Sequence, residues 1–167
     1  MKRGQAAMEF LMTYGWAILV VLVVIGALAY FGILNPLTLL PERCELEMGF
    51  YCRDHLITTT AAGDTGDILF YLENGKGEDV KIANITAINT KYGWVCTLDA
   101  GYKNLTLLNG DSREYNLNST TTTCKILSDM KGKNSKLKWN LEIDWYKLGS
   151  TDDYTHTAGG ELLSKVE

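Results

Sequence analysis

Residues 16–34 read WAILVVLVVIGALAYFGIL, a stretch with no charged side chain. About 20 apolar residues in a helix span the roughly 30 Å hydrocarbon core of a bilayer. A helix packed on a soluble core keeps a polar face, and this stretch has none. The charge-free run is longer than the quotation, extending from Phe10 to Pro41. Asn35 and Pro36 supply its stop, because proline removes a donor from the hydrogen-bond ladder. Lys2 and Arg3 precede the run, while Glu42, Glu45 and Glu47 follow it. Basic residues favour the cytoplasmic side, which leaves the first residues inside and the polar remainder outside. Gly26, Ala27, Ala29 and Gly32 are small enough for neighbouring helices to approach closely.

One acid, Glu9, stands at the mouth of this run, and three accounts compete for it. A secretory signal would use Ala27–Ala29 as a small-residue cleavage site, but Tyr30, Phe31, Ile33 and Leu34 carry the apolar stretch past the cut. A plain single-pass anchor explains the helix and leaves Glu9 as an interfacial residue. The third account uses the leader. Residues 1–4 are MKRG, residues 5–9 are QAAME, and an unbroken apolar helix follows. This order of basic leader, glycine, glutamine, spaced glutamate and helix resembles the class III signal peptide of archaeal type IV pilin-like proteins. Ala7 stands where the family motif usually has serine, one small residue for another.

The resemblance covers about 35 residues and implies cleavage between Gly4 and Gln5 by a prepilin peptidase, with Lys2 and Arg3 as leader charges. The apolar helix stays attached, and Glu9 becomes the fifth residue of the product. Its implied role is assembly. A carboxylate in the membrane interior costs roughly 2.5–3.5 kcal/mol, and the α-amino group newly made at Gln5 of a neighbouring subunit would pair with it. Cyclisation of Gln5 would remove that amine. The implied partners are other copies of the chain in a helical homopolymer, the prepilin peptidase, a pilus assembly platform with its ATPase, and the membrane before assembly. The implied destination is the cell surface, as an extracellular filament.

Beyond residue 41 the pattern turns from helical to β. Residues 67–73, DILFYLE, are rich in strand formers and run into the turn cluster NGKGED. In VKIANITAI the apolar positions are Val80, Ile82 and, after a slip at Asn84, Ile85 and Ile88. WVCTL, LTLL and CKIL are shorter candidates, and residues 155–167 offer a closing strand. The clearest strand is KLKWNLEIDWYKL, where Leu137, Trp139, Leu141, Ile143 and Trp145 alternate with Lys138, Asn140, Glu142 and Asp144. Such alternation marks an antiparallel strand with one wet face. The expected fold class is α+β: a long N-terminal apolar helix, then an all-β head. The resemblance independently implies an Ig-like or archaellin-like sandwich, whereas strand count alone leaves sandwich and barrel open. The expected divisions are a leader at 1–4, the helix and its exit at 5–41, and the head at 42–167.

Cys44, Cys52, Cys96 and Cys124 all lie in the head. An even count in an exported domain predicts two disulfides, for which three pairings exist. Cys44–Cys52 and Cys96–Cys124 are the pairings of shortest span. No C-x-x-C pair is present to suggest a zinc ribbon or a thioredoxin-type site. Asn84, Asn104 and Asn118 head N-x-S/T sequons, with Asn104 and Asn118 nearer predicted turns.

His55 and His156 are the only histidines, too few for a histidine-based active site. The DTG at Asp64–Gly66 lacks the second copy that a paired-aspartate protease needs and reads as a turn. Asp152 and Asp153 read as a solvated loop. The formal net charge of −4 argues against a nucleic-acid partner. The expectation is a non-enzymatic structural subunit without cofactor, an archaeal pilus-like protein acting in adhesion. Its alternative is an anchored extracellular β-domain that binds a partner and never polymerises.

Overall fold

The computed structural model describes residues 2–30, 40–59, 66–118, 124, 126 and 136–167, without the side chains of residues 2–7, 11 and 152. It divides into two units, Met1–Leu40 and Pro41–Glu167. In the first, helix α1 spans Lys2–Tyr30. At 1.5 Å per residue its 29 residues measure about 43 Å. The segment Met8–Tyr30 is long and apolar enough to cross a membrane, and none of its most apolar window is buried.

The second unit is an antiparallel β domain of sandwich or barrel-like form. Its strands are β1 (Arg43–Leu46), β2 (Phe50–Thr59), β3 (Gly66–Asn74), β4 (Val80–Asn89), β5 (Trp94–Leu98), β6 (Leu105–Leu107), β7 (Ser112–Asn118), β8 (Lys136–Lys147) and β9 (His156–Lys165). They form one sheet in the order β1-β9-β8-β4-β5-β7-β3-β2, with β6 added beside β4. The two ends of that path meet. Cys44 on β1 is disulfide-bonded to Cys52 on β2. Ile57 of β2 also forms a parallel bridge with Val166, just past β9. The sheet therefore closes around a single apolar core.

The predicted alternation on β8 is present. Leu137, Trp139, Leu141, Ile143 and Trp145 are buried, while Lys138, Asn140 and Glu142 are exposed. On β4 the slip takes the form of a bulge between Ile82 and Asn84, opposite Trp145 and Asp144 of β8. Past the bulge the inward positions are Ile85 and Ala87, and Ile88 faces outward, contrary to the expectation. Residues separated by an odd number along a strand take opposite faces, so Ile85 and Ile88 cannot share one. The CKIL segment contributes buried side chains from Cys124 and Ile126, neither in strand, and its other residues lie outside those described.

Two buried asparagines organise the hairpin turns. Asn74 Oδ1 accepts from the Lys76 amide at 3.0 Å, and its Nδ2 donates to the Glu78 and Leu107 carbonyls. Asn89 Oδ1 accepts from the Tyr92 amide at 3.0 Å. Side-chain amides replace missing backbone partners here, which is why these polar groups tolerate burial. Gly77 (φ 82°) and Gly93 (φ 69°) take the left-handed conformations these turns need.

Truncation should separate the two faces of β8. Trp139→Ala is expected to cost about 3–5 kcal/mol, and Asn140→Ala to stay within about 0.5 kcal/mol. Urea denaturation monitored by circular dichroism measures both.

Candidate functional site: the N-terminal helix and its acid

Helix α1 takes its shape from long runs of Leu, Ile, Val and Ala, which satisfy every backbone group internally where water is absent. Phe10 and Tyr14, four residues apart, touch with ring centroids 4.5 Å apart. With Ala17, Ile18, Val21 and Leu22 they line one open, wholly apolar groove along the helix. The large side chains Met8, Phe10, Met12, Tyr14, Trp16 and Ile18 are all exposed within the unit. Such a helix is covered by lipid or by other apolar surface.

Glu9 is exposed, and no described side chain pairs with its carboxylate. Its carbonyl accepts a 2.8 Å hydrogen bond from Thr13 Oγ1, so the neighbouring hydroxyl is turned onto the backbone and not toward the acid. Lys2, Arg3, Gly4 and Gln5 have helical backbone continuous with the rest of α1. Their side chains lie outside those described. The Gly4–Gln5 bond thus falls in the first turns, where glycine costs about 1 kcal/mol relative to alanine and helices fray.

In the head, the sulfurs pair as Cys44–Cys52 and Cys96–Cys124. Cys96 and Cys124 are fully buried, whereas Cys44 and Cys52 are partly accessible. The three sequon asparagines differ sharply. Asn84 sits at the β4 bulge, half-buried, with its Nδ2 on Thr86 Oγ1 at 3.1 Å. Asn118 Nδ2 is held by Asp99 Oδ2 at 2.9 Å, and the Ser119 and Thr120 of its sequon lie outside the described residues. Asn104 is exposed in a turn and is the one described non-glycine residue with positive φ, 58°. Among the described residues its side chain accepts from Tyr146 Oη at 3.3 Å, and its Nδ2 has no described partner.

Asp64 and Thr65 of the DTG lie outside the described residues. Asp153 is exposed in a short turn at 152–154. Charge in the head is organised across the outer faces of its strands. Glu161 of β9 takes Arg43 of β1 at 2.6 Å and Lys138 of β8 at 2.6 Å. The hydrogen bonds from Lys138 and Arg43 hold its carboxyl below the usual carboxylate range. Arg53 does the same for Glu73, and the Gly101 amide with Asn118 does so for Asp99. Burial raises Asp67.

No protein-family model matches this chain, and no curated protein matches it in sequence.

Carboxylates held below their unfolded values lend stability above the ordinary carboxylate range and lose it as pH falls through their folded values. Asp67 runs the other way, gaining as pH falls. Among the described residues, three lowered groups against one raised predict a head that melts at lower temperature when the pH drops below about 4. Glu161→Gln should flatten that acid limb in a Tm-versus-pH series. In material glycosylated at N-x-S/T sites, glycopeptide mapping should find Asn104 occupied and Asn84 bare.

Proposed function

We propose that this chain is a structural subunit of an archaeal type IV pilus-like surface filament. A prepilin peptidase cuts between Gly4 and Gln5, and the subunit polymerises through α1 with the β head outside, for adhesion. The observation that carries this reading is the placement of Glu9, the one acid of α1, directly before a run from Phe10 to Tyr30 that carries no charge. A helix that only anchored the chain would have no use for it.

In the membrane the Glu9 carboxylate lies near the cytoplasmic interface, where it keeps contact with water. When α1 leaves lipid for a bundle of other helices, that water is lost. A buried acid without a partner is strongly destabilising, whereas one paired with a neighbour's amine is tolerated. Only one axial offset between subunits brings the two groups together, so Glu9 acts as a register device more than as a source of affinity. The apolar surface of α1 supplies the contact area, and Gly15, Gly26 and the adjacent alanines let helices come close. An assembly platform and its ATPase would supply the work of extraction from lipid. Asn104, exposed on the head, suits the glycan of a surface protein.

Glu9→Gln keeps the size and polarity of the side chain and removes its charge. Sheared surface filaments are expected to fall at least tenfold, with the chain still inserted in the membrane and cut after Gly4. The intact mass of the native protein checks the cut. A chain beginning at Gln5, or its cyclised form, in the sheared fraction is the expected result. An uncut chain confined to membranes, with filament yield indifferent to Glu9, would favour an anchored extracellular binding domain. A start at Tyr30 would mean a secreted β domain.

A further inference from the structure

We propose that Cys44, Cys52 and His55 form a redox-gated zinc site: a disulfide when oxidised, and a Cys2His ligand set for Zn2+ when reduced. The ligand atoms of these three residues lie within 4.8 Å of one another. Their convergence depends on a backbone irregularity. Cys52 and His55 are an odd number of residues apart, and a regular strand would point them to opposite faces. The bulge in β2 between Cys52 and Asp54 inserts Arg53 as an extra residue. Cys52 then pairs with Leu72 and His55 with Phe70, both inward-facing positions on β3. Cys44 arrives on the same side from β1, opposite the buried Leu162.

The histidine carries the second observation. His55 Nε2 is buried and has no hydrogen-bond partner among the described residues. Buried polar atoms without partners are rare in folded proteins and call for an explanation. An imidazole with an unpartnered nitrogen, on a side chain whose ligand atom lies within 4.8 Å of two sulfurs, is a metal ligand in waiting. The disulfide beside it is also the reducible one, since Cys44 and Cys52 are partly accessible and Cys96 and Cys124 are fully buried.

The chemistry balances with a thiol-class reductant. It supplies two electrons and two protons, is itself oxidised to a disulfide, and leaves Cys44 and Cys52 as thiols. Zn2+ then displaces both thiol protons to solvent and forms two Zn–S bonds and one bond to an imidazole nitrogen of His55, with water in the fourth position. Tetrahedral zinc with Zn–S near 2.3 Å sets the sulfurs about 3.8 Å apart. That separation requires only a local opening of the β1–β2 tie. Two thiolates and an imidazole favour zinc over the harder magnesium and calcium ions. The metal would then hold together the same two strands that the disulfide holds. This proposal is independent of filament assembly.

The test uses the full chain in detergent under anaerobic conditions. A phosphine reductant is applied and removed, and peptide mapping after alkylation establishes that Cys44 and Cys52 are free while Cys96–Cys124 is intact. Isothermal titration with Zn2+ is expected to give one site per chain in the reduced protein and none in the oxidised protein. Substitution by Co2+ should give a thiolate-to-cobalt charge-transfer band. His55→Ala should weaken Zn2+ binding at least tenfold while leaving the oxidised fold unchanged by circular dichroism. His55→Gln serves the same comparison should the alanine variant not fold. Absence of zinc binding by the reduced chain, a cobalt spectrum without the thiolate band, or unchanged affinity in the histidine variants would overturn the proposal.

Discussion

Closure of the sheet is the constraint on which the head depends. A sheet path with free ends leaves two rows of unpaired amides and carbonyls, which invite pairing with other chains. Here the ends are β1 and β2; a disulfide ties them to each other, and the chain just past β9 pairs with β2. The Cys44–Cys52 disulfide is covalent. The Ile57–Val166 bridge brings the chain's last residues beside β2. The Glu167 amide then donates to the Ile57 carbonyl at 2.9 Å, and the Thr59 amide to the Glu167 carbonyl at 3.3 Å. A disulfide closing so short a loop, with a sequence separation of 8, removes little chain entropy, about 2.5 kcal/mol in the simplest model. The separation of 28 for Cys96–Cys124 corresponds to about 3.6 kcal/mol. The shorter bridge matters more for where it lies than for how much entropy it removes.

Closure also explains which parts of the fold were legible in the sequence. The strand β8 was readable because it is long, central and uninterrupted, so period-2 alternation survives along Leu137–Trp145. The irregularity in β4 was visible as a break near Asn84, but the phase beyond it was misjudged. Ile88 is expected among the apolar positions together with Ile85, and the core takes Ala87 instead. With Ile85 inward, strand parity puts Ala87 on the same face and Ile88 on the other, whatever their hydrophobicity. The strand β2 could not be read at all. Its inward positions Phe50, Cys52, His55 and Ile57 change phase at Arg53, and its outward ones include Tyr51 and Leu56. A bulge inside a mixed-polarity strand removes the period that pattern reading relies on. Convergence of His55 with Cys52 was hidden for the same reason.

The N-terminal unit poses the opposite situation. The apolar helix itself was legible, because a membrane-length apolar run needs no tertiary context to be recognised. Its geometry adds continuity, since the helical backbone begins at Lys2 and passes through Gly4, Gln5 and Glu9 without a break. What α1 packs against is not encoded in one copy. Its groove along Phe10, Tyr14, Ala17, Ile18 and Val21 has no partner within the unit, and a subunit surface of this kind acquires meaning only in lipid or beside another helix.

In a filament, these two units would divide the work by chemistry. Apolar contact between helices is non-directional, so by itself it sets strength and leaves register loose. A single buried acid is a poor source of stability but a sharp discriminator, because every wrong offset leaves it unpaired. One Glu9 per helix is therefore enough, and a second acid would add cost without adding register. If α1 is pulled in a filament, tension would enter the head along the chain at β1, where Cys44 is the second residue. The covalent tie to β2 would pass that load to β2 and, through its long ladder, to β3. Without it, β1 would keep its four-residue pairing with β9 and the packing of Leu46 on the core, and would lose its covalent link to β2. A cross-link placed at the point where force enters protects the closure of the whole sheet, a role that loop entropy does not measure.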